Sequence, residues 1–163
     1  MAPLIVLLAN LSFSEAVFPS SLEFGWFSLL LKKQGLDNSD MSNVRPVTNL
    51  STLSKLMERL ALRRLRLHIM STCNFSDFQS AYRPGHSTET ALAKVINNVI
   101  TAMCEQRVTL LLSLDISAAF DTIYLSILLG RIMSHFGITG CAVNWLRSFV
   151  TDRTQYVGVG TEH

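Results

Sequence analysis

Apolar positions recur along this chain in distinct rhythms, and each rhythm predicts an element. Residues 4–17 are apolar almost throughout and predict a short buried helix, with Pro3 suited to its first turn. Leu22 to Leu31 is apolar and aromatic-rich around Gly25 and predicts a strand, followed by a polar loop from Lys32 to Asp40. Leu53, Leu56, Met57, Leu60 and Ala61 recur at helical spacing and predict a helix over 51–69 with these residues on its core face. After a Ser/Asp/Gly/Pro-punctuated loop over 71–86, Leu92, Val95, Ile96, Val99 and Met103 predict a second amphipathic helix over 88–105. Ser87 suits its N-cap, and Glu89 in its first turn suits the helix dipole. Then the rhythm changes. Val108 to Leu114 is a nearly unbroken apolar run ending on Asp115, the pattern of a strand buried on both faces. A helix near 122–135, a glycine-bounded turn at Gly137–Gly140, a helix near 141–150 and a strand near 154–159 follow. Helices segregated around a short sheet make the expected class α+β, with helices packed on a small antiparallel sheet.

The chain has 163 residues, the size of one domain or a piece of one. Hydrophobic residues make up 48% and charged residues only 16%, against about 25% charged in an average soluble domain. With mean hydropathy at +0.31, either a membrane is involved or some apolar surface belongs against a partner. No window supplies roughly 18 consecutive apolar residues, which argues against a membrane-spanning helix. The first eleven residues could pass for the core of a signal peptide but lack its basic opening, so a secreted or membrane-anchored product rests on that segment alone. A net charge of +2 is too mild to diagnose nucleic-acid binding by itself. Cys73, Cys104 and Cys141 form no metal or disulfide pattern and read as buried free thiols.

Several residues could carry chemistry. Asp115 ends a predicted core strand, where a carboxylate is held rigidly yet meets solvent; it reads as a hard-cation ligand or as a turn cap. Asp121 precedes a helical pattern and reads as an N-cap. Phe120 reads as a core ring anchoring that helix. Arg45 and Arg83 each lie beside a proline, where a guanidinium fork could bind phosphate or form a structural ion pair. Lys32 and Lys33 read at least as a solvated pair. Lys55, Arg59, Arg63 and Arg66 form a basic stripe that suits a nucleic-acid backbone and equally an ordinary solvated face. The four histidines have no ligand spacing, and no Walker-type loop or Ser-His-Asp cue is present.

The stretch from Val108 to Thr122, VTLLLSLDISAAFDT, resembles motif A of reverse transcriptases in the form found in LINE-type (non-LTR) retrotransposons. Other blocks resemble that family in the same order. Asn43 to Arg59 is similar to the first fingers motif, Phe78 to Leu92 to the second, Phe136 to Phe149 to the helix after motif A, and Arg153 to Val159 to the strand after that. The family also has an apolar segment ending in Phe-Pro, as at Phe18-Pro19. The resemblance implies a partial right-hand polymerase, fingers and the first part of the palm. Residues 1–24 would be a helical segment preceding the domain. Residues 25–163 would be the domain, with fingers motifs at 43–92, motif A at 108–122 and palm helices and strand at 123–163. It further implies RNA-templated extension of a DNA primer by deoxynucleoside triphosphates with Mg²⁺, an intracellular location, nuclear or cytoplasmic and not secreted, and no membrane partner. Asp115 would be the catalytic metal ligand. Phe120 would lie under the incoming sugar, and Arg45 and Arg83 would bind the nucleotide, Arg45 the better match to the triphosphate. Lys55, Arg59, Arg63 and Arg66 would track the template.

Departures matter too. Leu22 to Phe27 replaces a Trp-Lys pair and an apolar-basic alternation, and Ile123, Tyr124 and Leu125 replace an apolar-Asp-His sequence. No Asp-Asp dipeptide and no Pro-Gln-Gly block occurs. The expectation is a domain truncated before its paired-aspartate motif, inactive alone. The alternative is a decayed, non-catalytic remnant with weak nucleic-acid binding.

Overall fold

The computed structural model describes residues 2–116, Ala119 and residues 122–157. They form five α-helices and three strands, divided into two compact units, residues up to 68 with those from 124 on, and residues 69–123.

In the first unit, helix α1 (Ala2–Glu15) stops where Ala16 turns left-handed at φ +59°. Ser12 fixes that stop, because its carbonyl accepts the Val17 N–H at 3.1 Å and its hydroxyl donates to the Val17 carbonyl at 2.6 Å. Strands β1 (Gly25–Leu31) and β2 (Val44–Leu50) pair antiparallel, Gly25 opposite Leu50 and Leu31 opposite Val44. A Cβ on Gly25 would collide with the Thr48 side chain, so only glycine lets the two backbones meet there. In the connecting loop, Asp37 and Asp40 accept backbone N–H bonds from Ser39 and Ser42, which hold both carboxyls below their ordinary pKa. β3 (Gln155–Val157) adds to the other side of β1 in parallel, giving the order β2-β1-β3. The sheet is therefore mixed and not wholly antiparallel. β2, which the apolar rhythm did not announce, carries Pro46; an edge strand tolerates that missing N–H.

Helix α2 (Thr52–Ser71) buries Ser54, Met57 and Ala61. Leu53 and Leu60, expected on the core face, remain 39% and 36% exposed, because the face that meets the core is rotated toward Ser54. Helix α4 (Leu125–Phe136) ends on Gly137 at φ +65°. The Gly137 N–H bonds back to the Met133 carbonyl, the αL cap that glycine favours, and the Ile138 N–H reaches the Ile132 carbonyl. Helix α5 (Gly140–Val150) then returns to pack on α1.

The core of this unit is Ala9, Phe18, Leu22, Met57, Ala61 and Trp145, with Phe13 and Phe149 packed against it. Trp145 lies 5.1 Å from Phe13, stacks on Phe149 at 5.4 Å and meets the edge of Phe18 at 5.6 Å between ring centroids. Its buried indole N–H donates to Ser12 Oγ at 2.8 Å. Ser148 Oγ accepts the Phe18 N–H at 2.8 Å and donates to the Trp145 carbonyl at 2.9 Å. Arg153 closes the cluster. Its guanidinium lies 4.2 Å from the Phe149 centroid and 4.8 Å from that of Phe18, and Nε donates to the Phe149 carbonyl. Burial pushes the Arg153 pKa down, while the carboxylates of Glu23 and Glu58 oppose that shift.

The second unit holds helix α3 (Thr88–Cys104), opened by a reciprocal capping box between Ser87 and Thr90. Its apolar stripe is not a core face here: no α3 residue is buried, and Leu92, Ile96 and Met103 are 58%, 50% and 65% exposed. Periodicity tells which side of a helix would be covered, not that something covers it. The strand expected over 108–115 does not form. Residues 107–116 are irregular, with Leu110 at 89% and Leu114 at 82% exposure. A strand exists through its ladder, and among the described residues none pairs with this segment. The thiols of Cys73, Cys104 and Cys141 are exposed, contrary to the buried reading.

The Trp145–Ser12 bond makes a double-mutant test available. Trp145→Ala should lower the unfolding free energy by about 3–5 kcal/mol in urea titrations. Ser12→Ala alone should cost about 1–3 kcal/mol, because it strands a buried indole N–H. In a Trp145→Phe background, which has no such N–H, the Ser12→Ala cost should shrink markedly; an unchanged cost would mean that the bond is not what Ser12 contributes.

Candidate nucleic-acid interface

The candidate residues divide between the two units. Arg45, Lys55, Arg59, Arg63 and Arg66 belong to the first, Arg83 and Asp115 to the second. Phe120 and Asp121 lie outside the described residues.

On α2 the sequence places five cations against one acid, Glu58. With roughly 3.6 residues per turn, Lys55, Arg59 and Arg66 project within about 40° of one another, and Arg63 flanks Arg59 by about 40° more. This face is turned away from Ser54, Met57 and Ala61, so Lys55, Arg59 and Arg63 are exposed and Arg66 is half-buried. Arg64 falls outside the stripe and sits 5.2 Å over the Phe13 ring. Like charges one turn apart destabilise a helix by about 0.2–0.5 kcal/mol per pair. The stripe is therefore a cost to folding that tertiary packing of α2 must offset. A polyanion backbone would relieve it.

Arg45 is exposed on edge strand β2, in register with Leu30. Nearby, Lys32 closes the β1–β2 pair with its N–H on the Asn43 carbonyl and its Nζ 2.6 Å from the Ser42 carbonyl. Lys32 thus has a structural role, while Lys33 is exposed. Arg83 is half-buried: its guanidinium stands 5.7 Å over Phe75 and donates to the Asp77 carbonyl at 3.2 Å. The loop it belongs to also projects Phe78 and Tyr82, 78% and 85% exposed. Both rings fall in the block similar to the second fingers motif, but only Arg83 stands out there, since aromatics in a Ser/Gly/Pro loop carry no periodic signal.

Asp115 is exposed in the irregular segment and so is not held at a strand end. Among the described residues no group of three or more His, Cys, Asp or Glu side chains could hold a metal ion. One carboxylate does not supply a two-cation centre, so the described residues do not by themselves fit the divalent metal that the sequence resemblance implies. No described helix is long and apolar enough to cross a membrane.

Residues 31–162 match the family model described as reverse transcriptase (RNA-dependent DNA polymerase). The chain is 31% identical over 157 residues to the RNA-directed DNA polymerase from mobile element jockey of Drosophila melanogaster, covering 91% of this chain and 17% of that protein. It is 30% identical over 121 residues to the probable RNA-directed DNA polymerase from transposon X-element of the same species, covering 74% of this chain and 13% of that protein. It is also 30% identical over 148 residues to the Retrovirus-related Pol polyprotein from type-1 retrotransposable element R1 of Bradysia coprophila, covering 88% of this chain and 14% of that protein. The chain thus spans 17% or less of the length of these relatives.

The exposure of residues 108–116 has a direct readout. Their amides should exchange with deuterium nearly as fast as in an unstructured peptide, while those of α5 around Trp145 should be among the slowest. Protection of 108–116 comparable to α5 would show that the segment is covered in solution.

Proposed function

As a member of the reverse transcriptase family of LINE-type (non-LTR) retrotransposons, this chain contributes, we propose, the template- and nucleotide-binding part of an RNA-directed DNA polymerase. The match over residues 31–162 carries this reading. The chemistry of the side chains supports it. The α2 stripe offers four cations on one face to a phosphate backbone, and Arg45 offers an exposed guanidinium on an edge strand. Arg83 keeps its guanidinium over an aromatic face, which fixes its orientation beside the loop.

In this reading Lys55, Arg59, Arg63 and Arg66 bind template, Arg45 and Arg83 bind the nucleotide phosphates, and Phe120 excludes the 2′-hydroxyl by bulk. A divalent cation such as Mg²⁺ supplies charge neutralisation for nucleotidyl transfer when bound. Asp115 would be one of its ligands, completed by carboxylates that the described residues do not bring beside it.

A second reading, a non-catalytic remnant that retains weak RNA binding, is favoured by the lack, among the described residues, of other metal-ligating side chains grouped with Asp115. Transplantation separates the two. Residues 31–162 should replace the matching segment of the jockey polymerase with primer extension on RNA retained. Asp115→Asn in that chimera should abolish incorporation of every nucleotide, a neutral amide being a poor Mg²⁺ ligand. Phe120→Val should admit ribonucleotides while keeping deoxynucleotide use. An inactive but folded chimera would favour the remnant.

RNA binding by the chain itself should weaken as salt rises. Exchanging Lys55, Arg59, Arg63 and Arg66 for Gln should flatten the log K against log salt slope by up to about 3 units. An unchanged slope would reduce the stripe to a solvated helix face.

A further inference from the structure

The loop between α2 and α3 presents large rings where its Ser, Asp, Gly and Pro content would lead one to expect polar atoms. Its backbone is ordered by successive turns: Phe75 N–H to the Thr72 carbonyl at 3.2 Å, Gln79 to Ser76 at 3.1 Å, Arg83 to Ser80 and His86 to Arg83 at 3.3 Å each. From this frame Phe78 and Tyr82 point into solvent with 78% and 85% of their surface exposed. Tyr82 is held there at φ +59°, a left-handed conformation that bulky L residues adopt only at a cost. Such strain at a fully presented ring is hard to explain by packing, since the ring packs on little.

The rings do not form an apolar patch. Lys94 Nζ lies 4.9 Å over the Phe78 ring, and Arg83 lies at the base of the loop over Phe75. Beside Tyr82 is an open cavity of about 400 Å³ whose walls mix Ala81, Ala91 and the Tyr82 ring with Ser80, His86, Ser87 and Thr88. Two exposed planar rings, one with a lysine over a face and the other beside a recess that mixes apolar and polar walls, suit a planar, polar-edged ligand better than an aliphatic protein surface. Formal charge within the loop cancels, Arg83 against Asp77, and on α3 Lys94 is offset by Glu89, so binding here would come from stacking and not from phosphate attraction. That sets it apart physically from the α2 stripe.

We propose that Phe78 and Tyr82 form a base-stacking platform for unpaired RNA, with a base on the Tyr82 ring seated against this recess and a base on the face of Phe78 opposite Lys94. The proposal rests on the nucleic-acid reading above and deepens it by assigning two contacts that read bases without reading their sequence.

The test uses the full chain, a labelled single-stranded RNA of mixed sequence, and an abasic ribose-phosphate oligomer of the same length. Tyr82→Ala and Phe78→Ala should each weaken RNA binding about tenfold, whereas Tyr82→Trp should restore it. The abasic oligomer should bind wild type and variants alike, and the salt slope should not change, because no charge has been removed. Both side chains are exposed, so circular dichroism should show the variants folded. RNA binding that keeps its salt dependence but ignores both rings would overturn the platform and leave the nucleic-acid reading standing. Wild type that binds no RNA even at low salt would overturn both. Loss of abasic binding in parallel with RNA binding would overturn stacking as the cause.

Discussion

The first unit depends on one buried contact between residues far apart in the chain, the Trp145 indole N–H on Ser12 Oγ. An indole ring fills more core volume than any other side chain, but its N–H must find an acceptor once water is gone. Ser12 provides one while its other bonds set where α1 ends, so a single side chain both terminates a helix and receives the opposite end of the fold. Around that point Phe13, Phe18, Phe149 and Arg153 interlock through ring faces and edges. Ala9, Phe18 and Leu22, all before Gly25, are thus part of the core, and without them the ring cluster would open to solvent.

From that centre the geometry of the cationic face follows. Met57 and Ala61 are pinned in the core, which fixes the rotation of α2 about its axis and turns Lys55, Arg59 and Arg63 outward. A one-residue slip would swing the stripe by about 100°. Mutual repulsion along the stripe works against the helix, and burial of its opposite side keeps it formed. Core packing and charge presentation are in this sense one problem, solved by the same twenty-residue helix.

Local signals in the sequence translated well into structure. Ser87 caps α3 as its position before an apolar-periodic stretch announced, though the reciprocal partner is Thr90. Gly137 stops α4 because a left-handed residue was needed there. What failed was inference from one segment to its surroundings. Val108 to Leu114 has the composition of an inner strand, but composition does not create a neighbour, and the segment lies in the open. The stripe of Leu92, Ile96 and Met103 failed for the same reason. β2 went unnoticed because Arg45-Pro46 breaks alternation, which an edge strand can absorb. For the candidate interface, the charged residue types were legible from spacing, but which ring faces they rest on was not. The pairings of Arg83 with Phe75 and of Lys94 with Phe78 depend on how the loop coils.

The open segment around Leu110, Leu112 and Leu114 also governs how the molecule behaves in a crowd. Seven neutral residues from Val108 to Leu114, rich in branched side chains and free of proline, satisfy the requirements for stacking on identical copies into cross-β ladders. Every additional molecule offers the same unpaired backbone, so the tendency grows with concentration even when the Trp145 core is intact. Solubility and folding stability are therefore separate properties in this chain. A substitution that strengthens the core would leave self-association untouched, whereas a single charge placed in the run would suppress it.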